Sequence, residues 1–153
     1  VGTDTNIDED VFVRNLTTNT TVLVSANTSG GYSNNTGLET LGAFQPVISG
    51  NGQFVAFTSN FTNLVATDTN NTFDVFLRNL ATGQTTLISA NEAGTDSGNG
   101  NSGDDGGTVG GFVTGSLNPV ISNDGRFVAF SSFSSNLIGN DTNDALDVFV
   151  RDT

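Results

Sequence analysis

Part of this chain occurs more than once, and that repetition constrains the fold more than any other feature. Pro46-Val47-Ile48-Ser49, the turn Gly50-Asn51-Gly52 and Gln53-Phe54-Val55-Ala56-Phe57 return 73 residues later as Pro119-Val120-Ile121-Ser122, Asn123-Asp124-Gly125 and Arg126-Phe127-Val128-Ala129-Phe130. The same spacing carries Asn63-Leu64 onto Asn136-Leu137, Asp68-Thr69-Asn70 onto Asp141-Thr142-Asn143, and Asp74-Val75-Phe76-Leu77-Arg78 onto Asp147-Val148-Phe149-Val150-Arg151. A third copy of the latter half opens the chain: Asp4-Thr5-Asn6 and Asp10-Val11-Phe12-Val13-Arg14 precede their counterparts by 64 residues. The difference between the two spacings falls between Asn27 and Pro46 on one side and Asn91 and Pro119 on the other. Those intervals read as variable loops around a repeated framework. A unit repeated in this way buries its apolar face against the next copy.

Each unit reads as four short strands. Gly50-Asn51-Gly52 and Asn123-Asp124-Gly125 are tight-turn chemistry, because Gly, Asn and Asp tolerate positive φ. The segments they introduce, Phe54 to Ser59 and Phe127 to Ser132, are aromatic and β-branched and of strand length. Asp74 to Leu80 gives a third strand, and Ala81-Thr82-Gly83-Gln84 turns it into a fourth at Thr85 to Ser89. No apolar window has helical period, and Thr, Asn and Gly are dense throughout. Phe54-Val55-Ala56-Phe57 and Val75-Phe76-Leu77 are apolar on both faces, which suits a sheet packed between two neighbours. Four-stranded sheets stacked face to face are β-propeller blades. The expectation is therefore an all-β chain of β-propeller-type repeats built from four-stranded antiparallel blades, about two blades in all. Residues 1–27 form a partial blade (third and fourth strands), 28–45 a variable loop and 46–91 a complete blade. Residues 92–118 form a Gly/Asn/Asp-rich loop, and 119–153 a three-stranded partial blade.

The repeated pattern, Pro-x-Ile-Ser-x-(Asn/Asp)-Gly-x-Phe-Val-Ala-Phe-x-Ser, then Asp-Thr-Asn, Asp-Val-Phe-(Val/Leu)-Arg-(Asn/Asp) and Thr-Thr-Leu-(Ile/Val)-Ser, resembles the TolB-type, WD-like β-propeller repeats of secreted and periplasmic bacterial proteins. The resemblance covers nearly all of the chain outside the two loops. It implies a blade architecture and a binding or scaffolding role; it implies no single activity, because propellers host many.

Composition removes whole classes of function. Sixteen acidic residues against four Arg and no Lys give a formal charge of −12, which repels nucleic acid and anionic membrane surfaces. With neither Cys nor His there is no disulfide, thiol nucleophile, imidazole base or imidazole metal ligand. No apolar run is long enough to cross a bilayer, so membrane insertion is not expected. There is no Met and residue 1 is Val, so the chain reads as a processed form or a piece of something longer. Carboxylates are abundant, yet nothing marks one pair as acid and base, and no enzyme is expected.

The clearest candidate site is the repeated Asp-Thr-Asn-x-x-x-Asp, present as Asp4, Asn6 and Asp10, as Asp68, Asn70 and Asp74, and as Asp141, Asn143 and Asp147; Asp8 adds a further carboxylate to the first copy. Alternating oxygen donors on a short loop are how a chain wraps a hard cation such as Ca²⁺, with the first copy richest in ligands. The competing reading is an Asx turn that spends the same side chains on backbone hydrogen bonds. Arg14, Arg78 and Arg151 share one repeat position, four residues after the motif's last Asp. They read as guanidiniums forked between carboxylates of their own and an adjacent blade, with an Arg ring reading an anionic ligand as the alternative. The acidic, Gly-rich run from Gly94 to Gly107 reads as a solvated loop or a further Ca²⁺ site, and Asn-x-Ser/Thr triplets recur, as at Asn15, Asn19, Asn27, Asn34, Asn60 and Asn70. The function expected is a non-enzymatic extracellular, cell-surface or periplasmic scaffold that assembles with copies of itself or with adjoining blades, as a ring or a filament. The alternatives are a propeller that binds a protein or glycan ligand, or the non-catalytic part of a secreted hydrolase.

Overall fold

A computed structural model describes residues 6–33, 42–100, 102, 119–143 and 145–153. Among them there is no helix. Nine strands follow one another among the described residues: β1 (Phe12–Asn15), β2 (Thr20–Leu23), β3 (Ala43–Ile48), β4 (Phe54–Ser59), β5 (Asp74–Asn79), β6 (Thr85–Leu87), β7 (Val120–Ile121), β8 (Phe127–Ser132) and β9 (Asp147–Asp152). They form three antiparallel sheets in sequence order, β1-β2, β3-β4-β5-β6 and β7-β8-β9. The two, four and three strands of the sequence reading are thus present in three meanders. β3 starts at Ala43, earlier than Pro46, because a bulge lies between Phe44 and Val47. Gln45 takes φ 55° there, and Pro46, which has no N–H to donate, sits at the irregularity on an edge strand.

The middle sheet is buried on both faces, and the two faces use different residues. Val55, Phe57, Leu64, Phe76 and Leu87 pack with Val11 and Val24 of the first unit. Ala56, Val75, Leu77 and Ile88, with Val47 and Phe54, pack with Val128, Phe130, Leu137 and Phe149 of the third. Strand alternation produces this division, since neighbouring residues point to opposite faces. The repeat then makes the two interfaces equivalent: Val128, Phe130, Leu137 and Phe149 lie 73 residues after Val55, Phe57, Leu64 and Phe76. Each sheet therefore offers one kind of face backward and another kind forward.

Backbone contacts repeat with the packing. Thr28 N–H donates to Asn63 O at 3.2 Å, and Glu92 N–H donates to Asn136 O at 2.8 Å, the same bond one unit later. Successive hairpin turns also touch: Asn51 N–H donates to Asn123 O at 2.9 Å and the Asn51 amide to Asp124 O at 3.1 Å. Gly125 takes φ +81° in that turn, and a Cβ on it would lie 2.2 Å from the Phe54 ring. Gly125 thus serves conformation and sheet contact together, while its counterpart Gly52, at φ +68° with open space around it, serves conformation alone.

Candidate functional site

Two features remain once the core is accounted for: the acidic loop before the third strand of each unit, and the two apolar faces at the ends of the stack.

The loop is clearest in the middle unit. The residues after β6 fold back over it: Ser97 N–H donates to Thr67 O at 3.0 Å, the Asn70 amide to Gly98 O at 2.7 Å and Ser102 N–H to Phe73 O at 2.7 Å. The side-chain Oδ1 of Asn70 accepts the Thr72 N–H at 2.9 Å, an Asx turn, and Oδ1 of Asn143 accepts the Ala145 N–H in the third copy at 3.1 Å. Asp74 is fully buried and accepts from the Ser89 hydroxyl, which itself accepts the Val75 N–H at 3.0 Å. Asp10 repeats this arrangement: Ser25 Oγ donates to it at 2.6 Å and accepts from Val11 N–H at 3.2 Å. The serine was missed in the sequence reading, although it stands at a fixed place at the end of the Thr-Thr-Leu-(Ile/Val)-Ser motif.

Asp68 is also buried, and neither of its carboxylate oxygens accepts a well-formed hydrogen bond; the same is true of Oδ2 of Asp74 and of the Thr72 hydroxyl. Desolvation raises the Asp68 pKa to about 6, offset in part by the Asn70 backbone N–H, with the nearby Asp96 charge adding to the rise. Desolvation raises Asp74 to about 7, against the hydrogen bonds of Ser89 and the Asn70 side chain, and Asp68 and Asp96 repel it further. A carboxyl whose folded pKa is raised binds its proton more tightly when folded. Its stabilising contribution is complete below the ordinary carboxylate range and is lost as the pH rises through about 6 and 7. In chelator-treated protein the melting temperature is therefore expected to be higher at pH 5 than at pH 8. A melt showing the reverse contradicts this placement of the two carboxyls.

The other copies are more open. Asp4 lies outside the described residues; Asn6 donates to Ser33 O at 2.7 Å, and Asp8 and Asp10 are half-buried. Asp141 and Asp147 are half-buried, Asn143 is exposed, and Asp141, Asn143 and Asp147 line a cavity of about 320 Å³. Among the described residues no group of three or more acidic side chains is gathered closely enough to hold a metal ion. Of the Gly-rich run, Asp96 accepts from the Thr69 hydroxyl at 2.9 Å, while 101 and 103–107 lie outside the described residues.

The arginine expectation is corrected. Arg14 donates to Thr21 Oγ1 at 2.7 Å and to the Asn19 side chain; Arg78 donates to Thr85 Oγ1 at 2.8 Å. Both threonines are their cross-strand partners. Arg151 donates to the carbonyls of Ile88, at 3.0 Å, and Ala90, tying the third sheet to the end of the second. Four residues along a strand span about 13 Å, so the carboxylate at that spacing is beyond reach while a threonine one strand away is not. The ion pair among the described residues is Arg126 with Asp152, bidentate at 2.8 and 2.7 Å and solvated.

The end faces are the second feature. Val120, Phe127, Ala129, Val148 and Val150 share the outer face of the third sheet, as the cross-strand pairs Val120↔Ala129 and Ala129↔Val150 require. Each lies 73 residues after a member of the set Val47, Phe54, Ala56, Val75 and Leu77, which packs against the next sheet. Val75 and Leu77 are 0% and 4% exposed, whereas Val148 and Val150 are 76% and 67% exposed. At the other end Phe12, the counterpart of Phe76, is 42% exposed. Comparison with protein-family models, with curated proteins and with solved structures finds no match to this chain.

Proposed function

We propose that this chain is a structural repeat module of the β-propeller blade type, working outside the cytoplasm as a non-enzymatic scaffold whose end faces are covered by further blades or by other copies. The observation that carries this reading is the contrast between Val75 and Leu77, buried against the next sheet, and their repeat counterparts Val148 and Val150, exposed on the last one. Burying a valine side chain is worth about 1.5 kcal/mol or more, so a continuous apolar face of five residues favours a partner that covers it. The residues that meet this face inside the chain define the partner: a sheet presenting Val, Phe, Leu and Phe at the positions of Val128, Phe130, Leu137 and Phe149. The extracellular placement rests on the likeness of the repeated motif to secreted and periplasmic repeats.

The double variant Val148→Asp/Val150→Asp tests the reading. Light scattering is expected to find assemblies for the unmodified chain and a folded monomer for the variant, its sheet content unchanged by circular dichroism. Equal masses would contradict it. A ligand-binding role has one observation in its favour, a polar cleft of about 680 Å³ where Thr28, Ala66, Arg78 and Thr85 meet between the first and second units.

A further inference from the structure

The geometry points to a divalent-cation site at Asp68 and Asp74, for which Ca²⁺ is the fitting ion. Asp68 is 4% exposed and Asp74 fully buried, and three of their carboxylate oxygens have no hydrogen bond of good geometry, the Asn70 backbone N–H and side chain acting on them only weakly against desolvation. The Thr72 hydroxyl adds a fourth buried oxygen without a partner. Burying ionised carboxylates without countercharge costs several kcal/mol per group, and such groups are found paired or bound to metal. No basic side chain meets the need: the chain has no Lys, and its Arg side chains donate to hydroxyl, amide and carbonyl groups or, for Arg126, to Asp152. Two carboxylates carry the charge that one divalent cation balances.

The donors are all hard oxygens on one short loop, against which Ser97, Gly98 and Ser102 hydrogen-bond, and that is Ca²⁺ chemistry. Mg²⁺ demands near-octahedral geometry at shorter distances and dehydrates reluctantly, so it fits a flexible carboxylate loop less well. The Asn70 oxygen is spent on the Asx turn, so Asn70 orders the loop and is not itself a ligand. This ranks the middle copy above the first, which is richest in acidic residues by sequence but leaves Asp8 and Asp10 half-buried. Repeat counterparts of Thr72 are Asp8 and Ala145, so the third copy lacks the hydroxyl as well.

The experiment is thermal melting and isothermal titration with CaCl₂ on chelator-treated protein at pH 8, in parallel with MgCl₂. Saturating CaCl₂ is expected to raise the melting temperature by roughly 5–10 °C, the size of shift that ligand linkage gives a domain of this length at about a hundredfold excess over Kd. MgCl₂ should give less than half of that. Asp68→Asn keeps the shape and removes one charge: it is expected to melt higher than the unmodified protein without metal and to lose the response to CaCl₂ at least tenfold in affinity. No heat and no shift at millimolar CaCl₂ would overturn the proposal, and so would an Asp68→Asn variant that binds as before. The proposal does not depend on the assembly of end faces, and neither result bears on that.

Discussion

Phe57→Ala is expected to cost about 3–5 kcal/mol of stability, a large part of what a domain of this size has to lose. Phe57 is fully buried in the middle sheet, stacked on Phe76 with ring centroids 5.7 Å apart, and lies in the cluster that joins the first two sheets. Truncation removes that ring contact and leaves a cavity between two sheets whose backbones are tied by ladder hydrogen bonds and cannot collapse fully onto it. Its counterpart Phe130, 3% exposed between the second and third sheets and paired with Phe149 at 5.9 Å, should respond similarly. Chemical denaturation of both variants is the measurement. A cost under about 1 kcal/mol at Phe57 would mean that the first two sheets are not packed through it.

A larger difference is expected between two variants at one repeat position. Leu77→Asp places a carboxylate among apolar side chains at a site that is 4% exposed between the second and third sheets, and should abolish the cooperative fold. Val150→Asp places the same carboxylate at a site that is 67% exposed, and the isolated chain should keep its fold while losing the ability to associate. The two residues have similar surroundings in sequence; what separates them is the neighbouring sheet over Leu77 and the fourth strand, β6, beside β5, for which β9 has no counterpart among the described residues. Circular dichroism melts decide the matter: two variants that unfold alike would mean that Val150 is already covered within one chain.

Much of the fold was legible because turns and strands in this chain announce themselves with different residue types. Gly50-Asn51-Gly52 and Asn123-Asp124-Gly125 mark their hairpins, and β4 and β8 run over the spans their Phe, Val and Ser residues indicated. The antiparallel pairing of β3 with β4, β5 with β6 and β7 with β8 followed from their short turns, whereas the long stretches from Ser59 to Asp74 and from Ser132 to Asp147 carry no such signal. The irregular start of β3 was not legible, because a bulge at Gln45 and Pro46 depends on the partner strand and leaves no local signature beyond the proline. For the site, the repeated Asp-Thr-Asn-x-x-x-Asp was visible, but its internal division of labour was not. Whether Asn70 offers its oxygen to a turn or to an ion, and whether Asp74 meets a serine 15 residues away, depends on tertiary closure of the loop. The arginine contacts were not legible for a related reason: spacing along one strand does not reveal the decisive neighbour, Thr21 or Thr85, which stands across the ladder.

The central claim is that the end faces of this stack, carried by Phe12 at one end and by Val148 and Val150 at the other, are surfaces for further sheets of the same kind. Sedimentation equilibrium of the unmodified 153-residue chain over a hundredfold range of concentration tests it most directly. A mass above 15.8 kDa that grows with concentration is the predicted result. A single 15.8-kDa species at every concentration, folded and melting in one cooperative transition, would contradict it.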